Sequence, residues 1–291
     1  MAVVTEYAPA KVNLTLEVLG KRADGYHELS SLVAFTTGLG DVVILDTAKP
    51  VGVSVSGPFA TSIAGANLIE TTLRLIEMAA PDLQCGAVHL EKNLPVAAGI
   101  GGGSSDAAAV IRAVRTVNGA DAEAVDWQAL ALRLGADVPV CLASQLSWMT
   151  GLGERVRPLP ADIALPAVIV NPLVPVPADK TAQVFRALRA GPLPEGYGSG
   201  EHAQGPLAGD QIIDAVMRGT NKLEAPALTI VPEIKAVLTA LAKRPGCRLA
   251  RMSGGGPTCF ALFGDDAEAQ AAAAQLSAGH PDWWVRATVL G

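Results

Sequence analysis

The chain lacks the marks of several large protein classes. Its four cysteines, Cys85, Cys141, Cys247 and Cys259, are scattered through 291 residues with no C-x-x-C pair and no histidine at ligand spacing. That argues against a zinc site and a disulfide framework, and it points to a reducing cytoplasm. No block of Lys or Arg stands in a sequence of net charge −6, so a nucleic-acid backbone would be repelled. Apolar runs are too short, or too broken by proline and charge, to span a bilayer. The first residues, Met1 to Glu6, have neither the basic region nor the long apolar core of a secretion signal. Two common phosphate-binding patterns are missing as well. No Gly is followed five residues later by Gly-Lys-Ser/Thr, and the spacing G-x-G-x-x-G does not occur, which excludes a P-loop and the usual dinucleotide turn.

What the chain does have is an apolar half of its composition, enough for a large core in one large or two medium domains. It also has one exceptional run: Pro95, Val96, Ala97, Ala98, Gly99, Ile100, Gly101, Gly102, Gly103, Ser104, Ser105 and Asp106. Behind it, Ala107, Val110, Ile111, Val114 and Val117 recur at helical spacing, with Arg112 and Arg115 off the stripe and Gly119 as a stop. Ser104, Ser105 and Asp106 are residue types that cap a helix start. Glycines at 99 and 101 to 103 permit positive φ and bring a ligand close to the backbone. A glycine-dense loop feeding a helix N-terminus is suited to an anion, with phosphate the natural guest.

Taken in order, Val12, Leu14, Leu16 and Val18 alternate with polar residues as a half-buried strand, with Lys11 at its beginning. A turn-rich stretch from Gly20 to Gly25 delivers Tyr26 and His27, which either stack on and hydrogen-bond to a base or form a half-buried surface loop. Further strands are expected over 41–46 and 51–55. A helix is expected over 67–78, with Leu68, Thr72, Leu75 and Ile76 on one side, and the strand 87–91 feeds the glycine loop with His89 on its face. A helix opens at Asp126-Trp127 and stops at Gly135. Asp137, just beyond, either caps the next helix with Pro139 in its first turn or, beside a phosphate loop, is a candidate general base. The change of texture from Leu146 to Pro160 marks a domain boundary, drawn after residue 155. Beyond it the pattern reads strand 167–171, helix 180–189, helix 232–243, strands 247–252 and 259–263, helix 265–277 and strand 283–290. This is a split β-α-β-β-α-β layer with extra helices. Residues 190–209 read as a Gly- and Pro-rich surface excursion without chemistry. The loop Ser253 to Thr258, with three consecutive glycines, reads as ligand-facing.

Four segments coincide: Pro9-Ala-Lys11-Val-Asn13, Leu94 to Asp106, Gly135-Ala-Asp137-Val-Pro139 and Ser253-Gly-Gly-Gly-Pro-Thr258. Together they resemble the successive signatures of the galactokinase, homoserine kinase, mevalonate kinase and phosphomevalonate kinase superfamily. Gly25-Tyr26-His27-Glu28 narrows the resemblance to its branch in the non-mevalonate isoprenoid pathway. The resemblance implies an α+β, two-domain small-molecule kinase fold: a ribosomal-S5-domain-2-like N-terminal domain (1–155) packed on a ferredoxin-like C-terminal domain (156–291). It implies ATP with Mg²⁺, and transfer of the γ-phosphoryl group to the 2-hydroxyl of a cytidine diphosphate-linked methylerythritol. Another alcohol of the superfamily, such as homoserine or a sugar, and a non-catalytic nucleotide-binding regulator are the rival readings. By the same resemblance Asp137 is the base with Lys11 beside it, and residues 95–105 wrap the triphosphate, with Ser105 approaching the metal. Asn13, Tyr26, His27, Thr181 and Phe185, with Asp137, face the substrate. The chain is expected to be a cytoplasmic monomer or weak homodimer. It departs from the family pattern at Gly255, usually Ser or Thr, and at Lys222, usually Asp.

Overall fold

The computed structural model describes residues 2–63, 67–159, 163–194 and 209–291. In chain order its elements are β1 (Val3–Asn13), β2 (Glu17–Lys21), β3 (His27–Asp46), β4 (Gly52–Ser56), α1 (Leu68–Ala79), β5 (Ala87–Glu91), α2 (Gly102–Asn118), α3 (Trp127–Leu134) and α4 (Val138–Ala143). They continue with β6 (Ser147–Gly151), β7 (Arg155–Pro158), β8 (Leu165–Asn171), α5 (Lys180–Leu188), α6 (Asp210–Arg218), α7 (Glu224–Ile230), α8 (Glu233–Ala242), β9 (Leu249–Met252), β10 (Cys259–Leu262), α9 (Asp266–Gly279) and β11 (Trp284–Leu290). Compactness divides them into two units that interleave along the chain. One comprises Met1–Lys11, Leu39–Val96 and Gly101–Ser144; the other comprises Val12–Gly38, Ala97–Ile100 and Gln145–Gly291. The division expected after residue 155 follows the chain, whereas this one does not.

In the first unit, the end of β3 pairs antiparallel with β5 from Val42 opposite Glu91 to Asp46 opposite Ala87, and β4 runs parallel to β5. Helix α2 packs against α1, α3 and α4, burying Ala107, Val110, Ile111 and Val114 as their spacing requires. Asn67 caps α1 by accepting from the Ile69 amide. The buried side of that helix is Ile69, Thr72, Leu73 and Ile76. Leu68 and Leu75, expected there, are only half-buried, so the stripe is turned by one position. His89 stands on the strand face, its ring between the hydroxyls of Ser54 and Ser56.

In the second unit, β11, β8, β10 and β9 form an antiparallel sheet in that order. This is the order 4-1-3-2 of a split β-α-β layer. The core beneath it gathers Val168, Val170, Val184, Leu223, Ile234, Val237, Phe263 and Leu276. The texture change after Leu146 is a hairpin, β6 and β7, with β6 laid along β3 from Leu29 to Val33.

One expectation is corrected here. The strand expected over 12–18 is broken. β1 ends at Asn13, so Lys11 lies near its end rather than its beginning, and apart from a single bridge between Leu16 and Asn221 pairing resumes in β2. Between them the Leu14 amide donates to Leu32 O, the Leu16 amide donates to Thr220 O, and Leu14 O accepts from Arg251. These partners take the backbone groups a ladder would have used. Of the excursion expected over 190–209, residues 195–208 lie outside the described residues, and Gly191, Pro192 and Pro194 are exposed. Its first residues pair with β2, Leu193 N donating to Lys21 O, and Gly209 precedes α6.

Candidate active site

In the first unit the site is built on the N-terminus of α2. The helix begins at Gly102 rather than at the serines, because Gly101 at φ +64° serves as its cap and no side chain bonds the first-turn amides. Of the glycines expected to need positive φ, Gly99 and Gly101 do, and Gly102 and Gly103 are helical. The residues expected as caps are used otherwise. Ser104 is half-buried. Ser105 is fully buried and its hydroxyl donates to Pro9 O at 2.8 Å. Asp106 turns inward to Lys92. The uncapped first turn leaves its amides for an anion.

Lys11 lies against this turn. A Cβ built on Gly101 would stand 3.0 Å from Lys11 Cβ and Cε, so only glycine lets the lysine stem pass. Lys11 Nζ meets Asp137 Oδ2 at 2.9 Å, the lysine 3% and the carboxylate 37% exposed. The carboxylate is therefore reachable while its partner is enclosed. Asp137 occupies the cap position of α4 but its side chain makes no cap bond, so of the two readings of this residue the capping one drops out. Cys141 is adjacent, and burial together with Asp137 pushes its thiol far up, keeping it a neutral wall.

Behind the turn lies a cluster that sequence reasoning missed. Lys92 Nζ is 2.6 Å from both Asp41 Oδ2 and Asp106 Oδ2, all three side chains being buried. Asp41 Oδ1 also accepts from the amides of Asn93 and Leu94, whereas Asp106 Oδ1 has no partner. Burial works to lower the Lys92 pKa, but Asp106 and Asp41 outweigh it and the net shift is upward. Burial pushes the Asp106 carboxyl up to about 8 against the pull of Lys92. An aspartate within the apolar run of β3 and a lone lysine after β5 were the available signals.

In the second unit, the segment Ala97–Ile100 is gripped from one side. Ala97 O accepts from Lys180 Nζ at 3.1 Å, Ala98 O from the Thr258 amide at 3.1 Å, and Gly99 O from the Ser253 hydroxyl at 3.1 Å. Among the described residues the amides of Gly99 and Ile100 donate to nothing. Pro95, before this segment, is buried, whereas Val96 and Ala97 are exposed. The second glycine loop thus supports the first. Built on Gly99, a Cβ would meet Gly256 O at 2.6 Å, and residues 253–258 are all buried. Its glycines at 254 and 256 are both at positive φ; a Cβ on the first would crowd Gly99 O and one on the second would run into the Met252 side chain. Asn221 holds the same loop, donating to Met252 O and Gly254 O.

The residues expected to face substrate also lie in this unit. His27 and Phe185 stack, ring centroids 4.9 Å apart, so one face of Phe185 is taken by the histidine. Burial first, then Lys21, lowers the His27 pKa, which keeps the imidazole neutral with one donor and one acceptor nitrogen. Tyr26 is exposed, and its amide donates to Asp24. Asn13 is buried; its amide side chain donates to Ser31 Oγ at 2.8 Å. Thr181 is exposed, its Oγ1 at ordinary contact distance from a Cβ built on Gly255. The departure at Lys222 is a surface matter, its ammonium 3.8 Å from Glu17, an exposed pair of little energetic weight.

Comparison with known proteins identifies the family. Residues 67–145 match the GHMP kinases N terminal domain and 211–282 the GHMP kinases C terminal. Relatives named 4-diphosphocytidyl-2-C-methyl-D-erythritol kinase include one from Methylobacterium radiotolerans, 48% identical over all of both chains. Another, from Bradyrhizobium sp., is 46% identical over 99% of this chain and 97% of its own. A crystal structure of 4-(cytidine 5'-diphospho)-2C-methyl-D-erythritol kinase matches with TM-score 0.76 and 37% identity over 99% of each chain. Homoserine kinase from Cytophaga hutchinsonii, at 20% identity and TM-score 0.69 over 99% of this chain and 95% of its own, shares the fold. Its two matched kinase segments and its likeness to these relatives along its whole length place the chain in the 4-diphosphocytidyl-2-C-methyl-D-erythritol kinase family of the GHMP kinases.

Proposed function

We propose that this kinase transfers the γ-phosphoryl group of ATP to the 2-hydroxyl of 4-diphosphocytidyl-2-C-methyl-D-erythritol. The observation that carries the mechanism is the Lys11–Asp137 pair set against the N-cap glycine of α2. Asp137 takes the proton of the hydroxyl as its oxygen bonds to the γ-phosphorus and the bond to the β-bridging oxygen breaks, releasing ADP. Lys11 compensates the negative charge spread over the transferring group. Catalysis of this kind depends chiefly on alignment and charge stabilisation, and a positioned base contributes about 10²–10⁴-fold. Residues 95–104 are the donor's cradle in this reading, with Ser105 holding the turn from behind. Among the described residues no cluster of three His, Cys, Asp or Glu side chains could hold a metal. A Mg²⁺ ion would therefore arrive on the donor's phosphates, where such ions are commonly carried, and neutralise their charge.

Asn13, Tyr26, His27, Thr181 and Phe185 handle the acceptor, His27 offering a neutral ring edge to cytosine. All five belong to the second unit. A domain division near residue 155 is supported by the two family segments falling on either side of it, with Asn13, Tyr26 and His27 contributed to the acceptor side from before it. We place the enzyme in the cytoplasm, in keeping with four free cysteines, as a monomer or weak homodimer. A coupled ADP-release assay over alcohols with and without the cytidine diphosphate group tests the substrate. Turnover confined to the cytidine-bearing compound is expected, and turnover only on homoserine or free polyols would overturn it.

A further inference from the structure

Lys180 opens α5 with its side chain 4% exposed. Its ammonium donates to Ala97 O at 3.1 Å and also to Gly256 O. Among the described residues no carboxylate shares these contacts. The nearest acid in sequence, Asp179, is turned to Gln183 and Arg186. Burial alone shifts the lysine, down to about 8. A buried cation without an anionic partner is costly, and a chain that keeps one near a proposed anion cradle has a use for the charge.

The grip on Ala97 shows what that use is. Ala97 is a non-glycine residue at φ +54°, a strained conformation that persists only when its surroundings enforce it. Lys180 holds the carbonyl of this strained peptide. Thr258 and Ser253 hold the next two carbonyls on the same side. With three successive carbonyls so engaged, the amides of Gly99 and Ile100 are left for a ligand.

We propose that Lys180 is a positioning residue for the phosphoryl donor, holding the Ala97 peptide so that the loop offers N–H groups to the polyphosphate and supplying a positive charge that the phosphates answer. The inference rests on the reading of residues 95–104 as the donor cradle.

Calorimetry with adenosine, AMP, ADP and ATP separates the two ideas. Lys180→Met weakens ADP and ATP at least tenfold and leaves adenosine within about twofold, with KM for the cytidine-bearing acceptor within threefold. Lys180→Arg, which keeps the charge, recovers most of the loss. A folded Lys180→Met with unchanged ADP affinity, or one that loses adenosine equally, overturns the proposal. Should that variant fail to fold, the same ligands are measured on Ala97→Gly, which keeps the lysine but frees the peptide it holds. A selective loss for ADP and ATP supports the proposal and an unchanged profile overturns it. Gly103→Val is the control for the cradle itself. If it binds ATP like the wild type, the underlying reading fails; if it loses ATP while Lys180→Met does not, only the role of Lys180 fails.

Discussion

At the scale of single residues, chemistry is concentrated where a side chain has one partner and remains reachable. Asp137 meets that description and Asp106 does not. Asp137→Asn is therefore expected to leave ATP affinity near normal and to lower kcat by at least tenfold in the ADP-release assay. Gly103 allows a finer test of the cradle. It is exposed, helical, and a Cβ there would meet no protein atom. Gly103→Ala should raise stability by about 0.5–1 kcal/mol in a denaturant titration, yet weaken ATP if phosphates lie against that turn. Gly102 is the poorer choice, since a Cβ there would stand 3.2 Å from Lys92 Nζ. Residue roles were legible where a motif fixed them, as at Lys11 and Asp137. Lys92, Asp41 and Lys180 were not, because burial gives them their meaning and a sequence records no depth.

At the scale of elements, the Asp41–Lys92–Asp106 cluster ties β3, the segment after β5 and α2 together. Asp106 carries the pH dependence. Its folded pKa, about 8, lies above the ordinary 3.8, so the folded state binds more protons between these values and stability falls as pH rises through that window. Asp106→Asn, which mimics the protonated acid, should gain stability relative to wild type between pH 5 and pH 9, read from urea midpoints. A constant difference would show that the folded and unfolded carboxyls bind protons alike across this range, and would overturn the raised value. Element positions were legible wherever periodicity and a cap agreed, as in α3 between Asp126 and Gly135 and in the strands of the second unit. They were misread at Leu14–Leu16, where alternation continues but the hydrogen bonds go to Leu32, Thr220 and Arg251. Local pattern reports which face is apolar; it is silent on where the backbone pairs.

At the scale of the molecule, the split layer β11-β8-β10-β9 followed from element order alone. The interleaving of the two compact units did not, because contact between residues hundreds of positions apart leaves no mark in composition. Within the second unit β11 pairs with β3 at Thr36 and Thr37, and Arg251 reaches Leu14 O and Gly219 O. A fragment of residues 156–291 lacks both β3 and Leu14. Expressed alone, it should show no cooperative thermal transition by circular dichroism, and one resembling that of the intact chain would mean the early strands are dispensable.

The strand β3, twenty residues long, begins in one unit and finishes in the other. It cannot be excised, duplicated or shuffled as a cassette without dismantling both. During synthesis, moreover, its first half must wait for the last residues to leave the ribosome before finding β11. A substitution that shifts the register of this one strand is therefore felt in both units at once.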